Sequence, residues 1–167
     1  LMPHLHLSIQ SGDAMILKRM KRRHSPEDVN NFIERCRKIR REITFGADII
    51  AGFPTENEKM FQNTYNLLQD NQISHLHIFP FSPKKNTPAA RMPQLEKSII
   101  KKRAQDLRLL GDNLLSLVKK NLSDERKILI EELNTHHISG YDQNYIKHQI
   151  PMIGMSLGEI VTTQCSF

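Results

Sequence analysis

Polar side chains mark one face of three short strand-like segments. Two of the segments alternate polar and apolar residues, and the middle one places a single acid in an apolar run. The residues that share these faces are His4, His6, Ser8 and Gln10 in the first segment, Gly46, Asp48, Ile50 and Gly52 in the second, and His75, His77 and Phe79 in the third. A closed barrel would fill the same face with Val, Ile and Leu. The three segments therefore predict an open barrel around a polar cofactor.

The histidines form two pairs at spacing i, i+2, which is compatible with zinc ligation. No carboxylate supports them within their own segments, so packed hydrogen-bonding roles are favoured and no metal site is predicted. Asp48 has two interpretations. It either contacts the cofactor or is a buried acid that is hydrogen-bonded to a neighbouring strand.

The two cysteines, Cys36 and Cys165, lie at opposite ends of the chain. Their spacing indicates neither a disulfide framework nor a zinc site, which favours a reducing compartment. Cys36 falls at helical spacing with Val29, Phe32 and Ile33, and these four residues are predicted to form a buried stripe. Cys36 is therefore expected to be a small core side chain.

A helical pattern follows each strand-like segment, so the strands are expected to be parallel, with the helices packed on their apolar face. Asp13 and Ser25 are placed to cap the first two helices. Thr55 and Glu58 have capping-box spacing before the third helix, and a long helical pattern covers residues 94–122. The predicted class is α/β.

The composition changes after Ser123 and Asp124, where short alternating runs and turn residues replace the helical patterns. The predicted organisation is an α/β half-barrel with its trailing helix in residues 1–122 and a small all-β module in residues 125–167. No apolar stretch approaches the roughly 20 residues that a spanning helix needs, and no signal peptide is recognised. A cytoplasmic location is expected.

The net charge of +6 is concentrated between Lys18 and Arg41, where ten basic residues face three acidic ones. Such a patch is either a phosphate-contacting surface or a solvated helix face. The basic residues assigned to RNA binding are Lys18, Arg19, Lys21, Arg22 and Arg23. The basic segment from Lys18 to Arg41 is expected to contact nucleic acid together with the β module, near the mouth of the barrel.

Four strings in order, HLHLSIQSGD, ILKRMKRRHS, FGADIIAGFPTE and HLHIFPFSPKKNTPAARMP, resemble the radical S-adenosylmethionine methylthiotransferases. Within that family they are most similar to the branch that acts on threonylcarbamoyladenosine in tRNA. The resemblance implies a six-stranded partial (β/α) barrel, of which this chain is the second half, followed by a TRAM-like RNA-binding module. It implies cofactor-contacting roles for Ser8, Gln10, Asp48, Ile50, Gly52, Phe79, Phe81 and Ser82.

Two departures from the family pattern stand out. The closely spaced cysteines that hold the family's iron–sulfur cluster are not among these residues, so no catalytic residue is assigned and the isolated chain is expected to be inactive. In addition, Lys85 and Asn86 replace the usual Pro-Gly after the last strand, which leaves that turn geometry open.

The expected function is that of a fragment of a tRNA-modifying enzyme, which works with S-adenosylmethionine, with iron–sulfur clusters held elsewhere, with tRNA, and with the missing N-terminal half of the parent protein. One alternative is a different target within the family, either isopentenyladenosine or a ribosomal protein. The other is a non-catalytic RNA-binding remnant.

Overall fold

The computed structural model describes residues 1–122, 125–134, 137–151 and 154–164. Three strands, β1 (His4–Gln10), β2 (Thr44–Ala51) and β3 (His75–Pro80), form a parallel sheet in the order β1-β2-β3. The predicted strand positions and their parallel arrangement are confirmed. The helices are α1 (Ala14–Arg19), α2 (Pro26–Ile39), α3 (Glu58–Asp70) and α4 (Lys97–Asn121), and a 3₁₀ turn covers Ala89–Arg91.

Local sequence explains where the first two helices begin. The Asp13 carboxylate accepts hydrogen bonds from two backbone N–H groups of the first turn of α1. Ser25 and Asp28 form a reciprocal capping box at the start of α2. The predicted box between Thr55 and Glu58 is wrong. The cap is Asn57, because Thr55 adopts a left-handed φ of 68° and turns the chain before the helix.

The helices cover the apolar face of the parallel sheet, as predicted. The buried core contains Phe45, Ala47, Ile49 and Ala51 of β2 together with Ile33, Leu68 and Leu107 of the helices. Cys36 is partly buried and packs against this core. Phe32 is the exception to the predicted stripe, because it lies beside the unpaired side of β1 and remains 43% exposed.

A second sheet follows α4 and is antiparallel, in the order β6-β5-β4-β7. Its strands are β4 (Glu125–Leu133), β5 (His137–Asp142), β6 (Lys147–Pro151) and β7 (Ile160–Gln164). Ile128, Ile130 and Ile138 form a small core of its own. The predicted boundary at Ser123 and Asp124, and Cys165 near the end of the chain, lie outside the described residues.

The turn between β5 and β6, residues 143–146, docks this second sheet against the first, and we call it the docking turn. Asn144 donates hydrogen bonds to the carbonyls of Pro3 and Glu42, and Thr44 donates to the Asn144 carbonyl. All these partners lie at or just before the N-terminal ends of the parallel strands. Within the part of the chain that the structure describes, no helix is both long and apolar enough to cross a membrane.

Candidate functional site

A cluster of three side chains occupies the polar face of the parallel sheet. The Asp48 Oδ1 atom lies 2.9 Å from His6 Nε2 and 3.3 Å from His77 Nδ1. Asp48 therefore faces away from the helices, while its neighbours in sequence are buried in the core. The expectation that the histidines lack carboxylate support is wrong, because the carboxylate comes from the adjacent strand and not from their own.

The register of the sheet explains how these side chains meet. Asp48 and His77 are paired residues of β2 and β3, whereas His6 is paired with Gly46, one side-chain level away. A Cβ atom on Gly46 would lie 2.7 Å from the His6 Nδ1 atom. The absence of a side chain at this position lets the His6 ring lie over β2 and reach Asp48.

The C-terminal ends of β1 and β2 carry further predicted cofactor residues. Ser8 is exposed, but the strand register is irregular before Gln10, which is buried with a left-handed φ of 71°. The alternation that grouped Gln10 with Ser8 therefore ends at this irregularity. Gly52, with φ 74°, forms the turn after β2, which favours glycine.

A buried ion pair that the sequence did not reveal supports this turn. The Glu56 carboxylate accepts the Gly52 N–H, and the Arg103 guanidinium of α4 lies 2.8 Å from the same Oε1 atom. Burial raises the pKa of Glu56 although the Arg103 charge opposes this effect. Arg103 also lies over the ring of Phe61, 5.2 Å from its centroid. Basic residues are common along α4, so no local signal distinguished Arg103.

Apolar side chains lie beside the His6–Asp48–His77 cluster on the polar face of the parallel sheet. Ile50 is half-buried and is paired with Phe79, which is 52% exposed. Phe81 packs edge-on against Phe53, with ring centroids 5.3 Å apart, and Ser82 is exposed in the following loop. Together these residues offer an accessible apolar surface next to polar groups, which suits a nucleoside.

The turn at Lys85 and Asn86 keeps the geometry that a glycine would provide. Asn86 adopts a φ of 69°, and the Thr87 N–H and hydroxyl both donate to the Lys84 carbonyl. Asparagine tolerates the left-handed region better than most residues. The departure from Pro-Gly therefore leaves a tight turn in place.

Histidines at the opposite end of the sheet are packed against the docking turn. The His4 ring stacks on Tyr145, and His75 Nε2 lies 3.1 Å from the Tyr145 carbonyl. Burial, with the nearby charges of His75 and His6, lowers the pKa of His4 to about 4. Burial also lowers the pKa of His75. Both rings are therefore neutral at pH 7 and serve the packing of this interface.

The predicted basic patch is divided between the two ends of the sheet. The residues that follow β1, including Lys21, Arg22 and Arg23, lie at its C-terminal end, where Arg19 also approaches Met60 at the start of α3. The docking turn contacts the N-terminal ends, about 20 Å away along a seven-residue strand. The expectation of one shared mouth is therefore wrong for Lys21, Arg22 and Arg23, which lie at the other end of the sheet from the docked module. Arg40, near the end of the same basic segment, lines a cleft together with Glu125 and Lys127 of the module.

A cleft of about 490 Å³ lies where β3, α4 and the second sheet face one another. His77 and Tyr145 line it together with the basic residues Arg108 and Lys147. This cleft places basic groups and an aromatic ring close to the His6–Asp48–His77 cluster.

Residues 2–68 match the Radical SAM superfamily. The chain is 49% identical over 142 residues to a threonylcarbamoyladenosine tRNA methylthiotransferase of Rickettsia prowazekii, which covers 84% of this chain and 34% of that protein. It is 36% identical over 168 residues to the protein of the same name from Thermotoga maritima, covering 95% of this chain and 37% of that protein.

A tRNA-2-methylthio-N(6)-dimethylallyladenosine synthase of Ehrlichia chaffeensis is 44% identical over 93 residues, or 56% of this chain and 21% of that protein. The chain thus spans about a third of the length of the curated relatives that it matches over most of its own residues. The resemblance to the radical S-adenosylmethionine methylthiotransferases is confirmed.

Proposed function

We propose that this chain, a relative of the radical S-adenosylmethionine methylthiotransferases, is part of an enzyme that methylthiolates carbon 2 of N6-threonylcarbamoyladenosine beside the tRNA anticodon. The observation that carries the proposal is the 49% identity to the Rickettsia prowazekii methylthiotransferase over most of this chain. The isolated chain is inactive in this proposal, because it holds the binding surface without the cluster.

The parallel sheet corresponds to the second half of a partial (β/α) barrel, in residues 1–122, and the second sheet to a TRAM-like module, in residues 125–167. Three parallel strands with helices on one face and polar groups on the other support the first assignment. The unpaired side of β1, where Leu7 and Phe32 line an apolar cleft, is where we place the missing N-terminal half of the barrel.

S-Adenosylmethionine is the cofactor in this proposal, and it supplies the radical chemistry of the family when it is bound. Phe79, Phe81 and Ser82 would hold the adenine through ring and backbone groups, since the two rings offer accessible or half-buried apolar surface. Ile50 and the Gly52 turn would lie beside the nucleoside. The polar groups of Ser8, Gln10 and Asp48 would contact its charged methionyl end.

The described residues do not fit an iron–sulfur cluster. Such a cluster needs several thiolates at one site, and Cys36 packs against the helical core on the far side of the sheet. We therefore place the cluster ligands outside this chain, in the remainder of the parent protein.

The tRNA would contact two separate surfaces. Lys18, Arg19, Lys21, Arg22 and Arg23 offer phosphate contacts at the C-terminal end of the sheet, where the cofactor residues lie. The second sheet, with the cleft that contains Arg108 and Lys147, offers contacts at the other end. A nucleic acid that spans both ends would bridge about 20 Å, which is short compared with a tRNA anticodon arm. A tRNA partner places the parent enzyme in the cytoplasm.

A chimera tests this function. This chain would replace the C-terminal third of the Rickettsia prowazekii relative, and methylthiolated nucleosides would be measured by mass spectrometry in tRNA from a strain that lacks the activity. We expect the methylthio derivative of threonylcarbamoyladenosine. A methylthio derivative of isopentenyladenosine would favour the alternative target, to which the Ehrlichia chaffeensis relative points.

The 167-residue chain alone is the matched control. After anaerobic reconstitution with iron and sulfide, it should form no deoxyadenosine from S-adenosylmethionine under dithionite. Stoichiometric deoxyadenosine would contradict the placement of the cluster ligands. A chimera that binds tRNA but forms no methylthio product, while the intact relative forms it, would support an RNA-binding remnant.

A further inference from the structure

We propose that His6, Asp48 and His77 bind a divalent transition metal, with two imidazole nitrogens and one carboxylate oxygen as ligands. The three residues come from three different strands, and their ligand atoms all lie within 4.8 Å of one another. This site contains no thiolate, so it is not an iron–sulfur site. It shares Asp48 with the proposed S-adenosylmethionine surface, and metal binding can be measured without cofactor or tRNA.

Two of the three distances within the cluster match a shared metal ion. Two ligand atoms that are each about 2.1 Å from one ion lie about 3.0–3.4 Å apart in octahedral or tetrahedral geometry. The separations observed here are 2.9 Å between Asp48 and His6 and 3.3 Å between Asp48 and His77. The third pair of ligand atoms, on His6 and His77, lies within 4.8 Å. The two rings are tilted, with centroids 4.7 Å apart, so metal binding would require the exposed His77 ring to rotate towards His6.

The ligand set selects the class of metal. Two histidines and one carboxylate suit Zn²⁺, Co²⁺ or Fe²⁺, whereas Ca²⁺ and Mg²⁺ prefer oxygen ligands. The side chains of Asp48, His6 and His77 are between 29% and 59% exposed, so an ion could enter and the remaining coordination positions would face solvent. Three protein ligands with open positions are typical of sites that also bind a further ligand.

The absence of a side chain at Gly46 supports the metal site independently, because it leaves room for the His6 ring to lie over β2. Any side chain there would meet the His6 ring, 2.7 Å from its Nδ1 atom, and would also crowd the His75 backbone. The sheet is therefore built so that the His6 ring can lie over β2, with its Nε2 atom directed at Asp48.

The test is a cobalt titration of the tag-free 167-residue chain after removal of metals by a chelator. We expect one Co²⁺ per chain, with visible absorption bands from nitrogen and oxygen coordination, and displacement of Co²⁺ by Zn²⁺. Asp48→Asn keeps the size of the side chain but loses the anionic ligand, and His77→Gln removes an exposed imidazole. Each should weaken Co²⁺ affinity at least about 100-fold, since even supporting residues of metal sites contribute 10–100-fold.

Two further variants distinguish loss of metal coordination at this cluster from loss of a histidine elsewhere in the chain. Gly46→Ala keeps all three ligands but displaces His6, so it should also weaken Co²⁺ binding. His137→Gln changes a histidine of the second sheet that contacts Asn134, and it should leave the titration unchanged. Circular dichroism establishes that each variant is folded. Because His77 is largely exposed, its variant remains informative even if Asp48→Asn unfolds.

The proposal is overturned if wild-type protein shows no saturable Co²⁺ band, or if His77→Gln binds Co²⁺ as tightly as wild type. In either case the cluster is a hydrogen-bonded triad only. The proposed methylthiotransferase function would be unaffected, because the chimera experiment measures it separately.

Discussion

Two carboxylates in this molecule are each held between two basic side chains, and they differ in their access to solvent. Asp48 lies between His6 and His77 on the open face of the parallel sheet. Asp142 lies between Arg126 and His148 in the second sheet, where none of the three side chains is more than 6% exposed. Similar residue types thus form an accessible cluster in one sheet and a buried cluster in the other.

The hydrogen bonds of Asp142 explain its role. Its Oδ1 atom accepts the backbone N–H groups of Asn144 and Ile146, which shapes the docking turn. Burial raises the pKa of Asp142, but the bonds from Ile146 and His148 and the Arg126 charge outweigh that effect and hold it below its usual range. The buried cluster therefore fixes a turn that joins the two sheets, while the exposed cluster has room for a ligand.

Removing Asp142 should have the largest effect on stability. Asp142→Ala would leave Arg126 buried without its carboxylate and would remove the acceptor for the docking turn. We expect a loss of about 3–5 kcal/mol in the free energy of unfolding, measured by urea denaturation. Asp48→Ala is the matched control and should cost less than about 1 kcal/mol, because its partners are accessible to solvent. Equal losses in the two variants would contradict the comparison.

The basic residues that follow β1 are accessible to solvent, as the Asp48 cluster is. In the chimera with the Rickettsia prowazekii relative, Lys21→Ala, Arg22→Ala and Arg23→Ala together should weaken tRNA binding. The slope of log affinity against log salt should flatten by roughly one unit for each lost phosphate contact. Lys38→Ala is the control, since Glu34 already compensates that charge at 2.7 Å. An unchanged affinity and slope would mean that the run is a solvated surface.

A change in pH should have a smaller effect on stability, through His4 at the N-terminal end of the parallel sheet. The pKa of His4 is about 4 in the folded state and 6.5 when unperturbed, so the unfolded chain binds more protons between these values. The free energy of unfolding should therefore fall as the pH is lowered from 6.5 towards 4, and the thermal midpoint with it. His4→Gln cannot titrate and should reduce this dependence, while His75, whose pKa is also lowered by burial, retains part of it. The contribution of Asp142 is lost only below pH 3.8. A pH profile that His4→Gln leaves unchanged would contradict the role of His4.

Local features could be predicted from the sequence because they depend on neighbouring residues. The strand His75–Pro80 and the caps at Asp13 and Ser25 follow from alternation and from short polar side chains at helix starts. The cap at Asn57 was missed because the left-handed Thr55 shifts the helix start, which spacing alone does not show.

The site was harder to predict because its contacts cross between elements. The pairing of Asp48 with two histidines depends on the register of three strands, and the support of Gly52 by Glu56 and Arg103 depends on how α4 packs. Asp142 and its partners likewise meet only after the second sheet forms. The alternation of polar and apolar residues identified which side chains share the polar face of the sheet, but not which of them contact one another across strands.

The most direct measurement combines stability and product formation for one variant of the chimera. Asp48→Asn should leave the thermal midpoint nearly unchanged and reduce the methylthiolated threonylcarbamoyladenosine in tRNA by about 100-fold, as expected when a positioning contact is lost. Asp70→Asn, an exposed acid at the end of α3, is the control and should change neither quantity. If Asp48→Asn gives full product, or if it loses product only by unfolding, the open face of the parallel sheet is not the functional surface.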